Sequence, residues 1–288
     1  MDVNELKDMP PWDWPRNTGE SLRRILEDQT GASEADRVVA ARLAGDLVVM
    51  DDEIAEVLLS IVQRADQPAP LRAQAAISLG PVLEQTDSDG FEDDLLESPI
   101  TKEVFERIQE ALHKTYLDSD GVPKLVRRRA LEAAIRASQD WHQDAVRSAY
   151  ASEDEEWKLT AVFCMRWIEG FDKEILKALE SPDSQIHREA VRSAGVRALE
   201  AAWPHITGLL AAKNTAKPLL LAAIAAVAEI RPTEAPTVLA KFAHSKDKEI
   251  AEAASEAIEE ASLFGEDFDD EEDEDEEDED MNYGSSIH

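Results

Sequence analysis

The chain has 288 residues, 43% of them hydrophobic and 32% charged, which is enough for one elongated domain or two compact ones. Its formal charge is −33; fourteen acids sit in 266–280, and the remainder of the chain still carries −19. Such a field opposes non-specific binding to nucleic acid or anionic lipid and suits a basic protein surface.

The N-terminal stretch MDVNELKDMPPWDWPRN has neither an apolar run nor the basic start of a signal peptide. No segment reaches the roughly 18 apolar residues of a membrane helix, so a cytoplasmic protein without membrane contact is expected. Within residues 1–31, MPPWDWPRN (9–17) is fenced by prolines and carries Trp12 and Trp14. It reads as an apolar cap on the first helices, with a partner-binding motif as the alternative.

From residue 32 onward the chain repeats. Seven segments align on one alanine each, at Ala40, Ala75, Ala130, Ala161, Ala190, Ala222 and Ala254. Four residues later comes a second apolar or small residue: Ala44, Leu79, Ala134, Met165, Ala194, Ala226 and Ile258. One helical turn separates the two, so both face the same neighbour. Seven residues before each anchor stands a helix starter, namely Ser33, Pro68, Pro123, Asp154, Asp183, Thr215 and Asp247. Between anchors lie second amphipathic segments such as DDEIAEVLLSIVQRA, TKEVFERIQEALHKTY and FDKEILKALE. The spacing from Ala75 to Ala130 is longer than the others and predicts an acidic loop, EQTDSDGFEDDLLESP, at 84–99. Gly265 is expected to stop the last helix, leaving 265–288 as a disordered acidic tail.

Paired helices with small residues at their crossings, as in L-R-x-x-A-A-x-x-L-G at 71–80 and I-x-x-x-A-V-x-x-A-G at 186–195, resemble the bacterial HEAT-like repeats of the phycobilisome-lyase type. The resemblance covers about 32–264. It implies an all-α, right-handed α-solenoid of about seven helix pairs, the last a partial cap. It implies little about function, since such folds serve many ends.

Tests for chemistry return no catalytic, cofactor or metal site. Some HEAT-like proteins are di-iron hydroxylases with His-Glu dipeptides, but His113, His142, His187, His205 and His244 are followed by Lys, Gln, Arg, Ile and Ser. His187 fills the slot held by Arg72 and Arg127 in other repeats, and as a lone histidine it makes no site. DSDG occurs at 87–90 and 118–121, yet both copies lack the bidentate acid of a calcium loop and read as helix-ending turns. The single cysteine, Cys164, rules out a disulfide framework and, three residues after an anchor, reads as a buried inert thiol. KLVRRRALEAAIR (124–136) is one basic patch, too short for a nucleic-acid groove.

A partner is expected on the second helix of each pair. Outward positions there give Arg107, His113 and Lys114, and then the candidate contacts Trp141, His142, Arg147, Lys173, Lys177, Trp203, His205 and Lys241. Trp and Arg carry binding energy most often, and DWHQDAVRSAY (140–150) is the best patch. The sequence thus reads as a monomeric, non-catalytic scaffold or adaptor for a protein partner. The alternatives are an acidic chaperone or inhibitor of a basic protein acting through its tail, and a lyase by fold analogy. The tail is also expected to cross the lysine-bearing face and compete with acidic partners.

Overall fold

The computed structural model describes residues 3–28, 31–91 and 98–269, without the side chains of Asn4 and of 264–269. The described residues are helical, with no strand. They form two compact units, Met1–Ile168 and Glu169–His288.

In the first unit the helices are α1 (Val3–Lys7), α2 (Thr18–Glu27), α3 (Glu34–Ala44), α4 (Asp52–Gln63) and α5 (Ala69–Ser78). They continue with α6 (Gly80–Asp89), α7 (Lys102–Leu117), α8 (Lys124–Ala134), α9 (Trp141–Ala151) and α10 (Glu155–Cys164). The second unit holds α11 (Asp172–Ala178), α12 (Ser184–Val196), α13 (Trp203–Ala211), α14 (Lys217–Ile230), α15 (Ala235–Ala243) and α16 (Lys248–Asp269).

The anchor alanines lie on α3, α5, α8, α10, α12, α14 and α16, and all are buried. These helices stack as a layer within each unit: α3 on α5, α5 on α8 and α8 on α10, then α12 on α14 and α14 on α16. A methyl group is all that fits where two backbones approach this closely. The residue one turn later is buried too, except Ile258, which is half-buried. Each anchored helix packs against the helix before it: α2 with α3, α4 with α5, α7 with α8, α9 with α10, α11 with α12, α13 with α14, and α15 with α16. The expected pairing, anchor helix first, is therefore shifted by one helix, and α2 belongs to the first pair. Each unit is an α-solenoid-like stack of such pairs.

A recurrent side chain closes the pairs. Arg37, three residues before its anchor, donates through Nε and Nη2 to the Leu26 carbonyl at 3.2 and 2.7 Å. Arg72 Nε donates to the Val62 carbonyl at 3.0 Å, and Arg127 Nε to the Tyr116 carbonyl at 2.8 Å. The acceptors lie in the last turns of α2, α4 and α7, where carbonyls lack intrahelical partners and the helix dipole is negative.

The starters behave as expected at six positions. Ser33, Asp154, Asp183 and Asp247 accept backbone amides of the first turn, and Pro68 and Pro123 precede α5 and α8. Thr215 is the exception: α14 begins one residue later, behind Ala216, and the Thr215 hydroxyl donates instead to the Leu209 carbonyl at 2.7 Å. That bond ties the end of α13 to the next helix, a demand that competes with capping.

Two expected loops are helix. Residues 84–89 form the end of α6, which follows α5 directly after Leu79; Pro81 in its first turn fits there without breaking it. Gly90, at φ +70°, ends that helix, while 92–97 lie outside the described residues. Gly265 does not stop α16, which runs through it to Asp269. One glycine costs a helix only about 1 kcal/mol relative to alanine, and no proline follows it here. The rest of the expected disordered acidic tail, 270–288, lies outside the described residues.

The N-terminal arm divides in two. Val3 and Leu6 are buried and α1 packs on α3, while the Trp14 indole donates to the Leu6 and Met9 carbonyls at 3.2 and 3.1 Å. Trp12, on the 3-10 turn Pro11–Asp13, is 79% exposed. Trp14 thus serves the cap and Trp12 does not.

Three expected outcomes test the stacking. A β-carbon at Gly45 would sit 2.8 Å from the Ser78 carbonyl oxygen, so Gly45→Ala should lower unfolding free energy by about 1–3 kcal/mol. Gly208, inside α13, has no atom within 4 Å of that position, so Gly208→Ala should raise it by about 0.5–1 kcal/mol. Arg72→Leu should cost about 2 kcal/mol by orphaning the Val62 carbonyl. Urea denaturation followed by circular dichroism reads all three.

Candidate functional site

Of the candidate contacts, Trp141, His142 and Arg147 lie on α9 in the first unit. Lys173 and Lys177 lie on α11, Trp203 and His205 on α13, and Lys241 on α15, all in the second.

Trp141 opens α9 and is half-buried. Its ring stacks on His113 from α7 at 4.2 Å between centroids and on Tyr116 at 5.4 Å, while its Nε1 donates to the Gln139 side chain at 2.9 Å. Tyr116 meets Trp157 of α10 edge-on at 6.1 Å, and the Arg127 guanidinium lies 5.4 Å from the Trp157 ring and 5.9 Å from the Tyr116 ring. One surface thus combines aromatic rings and a cation from four helices, held by packing. Arg147 is exposed on the same helix, with Asp144 Oδ1 3.2 Å away.

His142 is a correction. Its side chain is fully buried, facing the core under Trp141, and cannot touch a partner. Nδ1 accepts the Gln139 amide at 2.8 Å, which leaves the ring proton on Nε2, a buried atom with no hydrogen-bond partner among the described residues. Burial is the main force holding this imidazole down, to a pKa of about 4; the Gln139 carbonyl, 3.2 Å from Nδ1, opposes the shift and His113 adds to it. By sequence both Trp141 and His142 read as outward positions, but adjacent helical positions point about 100° apart, and the structure turns His142 inward.

In the second unit, the Arg231 guanidinium lies 4.8 Å from the centre of the half-buried Trp203 ring and pairs with Glu200 and Glu234. Lys241 is a helix cap as much as a surface cation, donating to the Leu210 carbonyl in the last turn of α13 at 3.3 Å. Lys173 and Lys177 are exposed. His205 meets His187, Nε2 to Nε2 at 2.8 Å. Burial, and then the neighbouring His205, hold the His187 imidazole below its ordinary pKa.

The basic run is taken up internally. Lys124 pairs with Asp154 and Glu156, Arg129 with Glu132, and Arg136 with Glu84. Arg128 is buried against Thr160, whose hydroxyl donates to Glu132 at 2.6 Å. Arg136 also lies 4.8 Å from the centre of the Trp167 ring, whose Nε1 donates to Glu84 at 3.0 Å. Burial pushes the Cys164 thiol well above its ordinary pKa.

Sequence reasoning missed Tyr116, Trp157 and Trp167, and the pairing of His187 with His205. The only signal in the sequence was the shared slot of Arg127 and His187. Among the described residues, no group of three His, Cys, Asp or Glu side chains is placed to hold a metal ion, and no helix is long and apolar enough to cross a membrane.

No protein-family model matches the chain, and no curated protein matches it significantly. Among solved structures it is similar to YibA of Escherichia coli, with 13% identity over 90% of both chains and a TM-score of 0.41. The helical-repeat fold rests on the chain's own packing.

His142 makes stability depend on pH. The unfolded imidazole takes up its proton near 6.5 and the folded one only near 4, so acidification between these values favours the unfolded chain. Stability present above pH 6.5 should fall by about 3 kcal/mol towards pH 4. His142→Phe should remove that part of the slope, read by urea melts across the range.

Proposed function

We propose that the protein is a non-catalytic scaffold that binds a protein partner through the aromatic and cationic surface of α7, α8, α9 and α10. The observation that carries this reading is the Trp141 stack: a half-buried indole packed against His113 and Tyr116 of α7, with Arg147 exposed on the same helix as Trp141. A ring fixed this way loses little conformational freedom on binding, which is what lets a tryptophan serve as an anchor. The helical-repeat fold is compatible with such a role, and Lys173, Lys177 and Lys241 remain further candidate contacts on the second unit. The partner surface is expected to be basic or mixed, since the chain is acidic throughout, and the work is expected to take place in an aqueous cytoplasmic setting.

A second reading makes the acidic C-terminal stretch the functional element, as a chaperone or inhibitor of a basic protein; the fourteen acids of 266–280 favour it. The lyase reading has no residue constellation in its support.

Quantitative affinity capture with the full chain separates the two. Trp141→Ala or Arg147→Glu, in protein that keeps its helical circular dichroism, should weaken recovery of a defined partner about thirtyfold, equivalent to about 2 kcal/mol. A chain ending at Asp269, the last residue of α16, should recover it undiminished. Loss on truncation with no effect of either substitution would replace the first reading by the second.

A further inference from the structure

Among the described residues of the second unit, two titratable rings meet outside the proposed partner surface. His187, in the first turn of α12, and His205, in the first turn of α13, bring their Nε2 atoms within 2.8 Å of each other. Both rings are half-buried, and they meet nearly edge to face, at 71° with centroids 5.0 Å apart. In the equivalent slot Arg37, Arg72 and Arg127 donate into a helix-end carbonyl. His187 instead presents a ring nitrogen to another ring nitrogen.

We propose that His187 and His205 are the two protein ligands of an open site for a borderline divalent cation, of the class of Zn²⁺, Ni²⁺ and Cu²⁺. The geometry needs little change. Two nitrogens each about 2.05 Å from a zinc ion at the tetrahedral angle stand about 3.3 Å apart, so the pair opens by roughly 0.5 Å to admit the ion in place of the shared proton. Neutral imidazole is the favoured ligand of this class, whereas Mg²⁺ and Ca²⁺ prefer oxygen. Glu180 supports the arrangement. Its Oε1 lies 3.6 Å from His205 Nδ1, within reach of a small rotation that fixes the ring proton there and leaves Nε2 as the lone-pair nitrogen. Because both rings are half-buried rather than enclosed, the remaining positions face solvent and take water. With only two protein nitrogens, affinity should be moderate, and the bound ion would tie α12 to α13.

Without an ion, the contact is an N–H···N hydrogen bond in which one imidazole holds the proton. His187 leaves no guanidinium to cap a helix end, and the pair lies beside an exposed carboxylate rather than in the apolar core. Sequence distance hid it: the two histidines are 18 residues apart on different helices, and neither sits in a metal motif.

The test uses the full chain in millimolar Mg²⁺, which occupies the carboxylate-rich stretches. One equivalent of Zn²⁺ should bind per chain by competition with a chromogenic chelator. His187→Gln and His205→Gln should each weaken it at least tenfold, and Glu180→Gln should weaken it less, the direction expected when a residue acts through a ligand. Cu²⁺ bound to the unaltered chain should show nitrogen superhyperfine splitting in its electron paramagnetic resonance spectrum, a reading that needs no variant to fold. The proposal is overturned by the absence of a Mg²⁺-resistant equivalent, by binding that survives both histidine substitutions, or by a Cu²⁺ spectrum with oxygen ligation alone.

Discussion

An arginine three residues before the anchor alanine clasps three helix pairs of the first unit: α2 with α3, α4 with α5 and α7 with α8. A helix end buried between layers leaves carbonyls that the helix itself cannot satisfy, and in the first unit Arg37, Arg72 and Arg127 reach back to supply the missing donors. The small residues let the backbones close, and the guanidinium then makes the closed arrangement tolerable. Neither suffices alone: alanines without a donor would bury orphaned oxygens, and arginine without alanines would not reach them. Where the slot changes character, as at His187, the second unit satisfies its helix ends by other means, such as the Thr215 hydroxyl and the Lys241 ammonium.

Much of this was legible in the sequence because it is periodic. Anchor, second small residue and starter recur in register, and register is what packing imposes on a chain. What escaped the pattern was local competition. Thr215 looked like a cap and became a tie between helices, since a hydroxyl serves whichever partner the fold puts nearest. Gly265 and the acids at 84–89 read as interruptions but are helical, because a propensity difference of about 1 kcal/mol does not by itself end a helix. The pairing of each anchored helix with its predecessor was invisible for another reason. Amphipathic patterns say that a face is buried, not which neighbour buries it.

The candidate site was legible only in part. Trp141 and Arg147 could be chosen by residue type and helical phase, and the structure keeps both at the surface. His142 could not be distinguished from them without knowing which of two adjacent positions faces inward. The rings stacked on Trp141 come from α7, and Trp157 of α10 joins through Tyr116; a cluster assembled from three helices leaves no mark on any one of them. His187 and His205 likewise acquire their relation only when two helices meet.

The clasp also bears on how the chain folds. Donor and acceptor are ten or eleven residues apart in all three cases, so each clasp closes a short loop rather than gathering distant parts of the sequence. Loops of that length close in about 10–100 ns, and a fold dominated by such near-neighbour links has low contact order. The donor always lies downstream of the carbonyl it serves. During synthesis, a helix therefore waits only for the first turn of its successor before its end is sealed, and assembly can proceed from the N-terminus without holding apolar surface open for long.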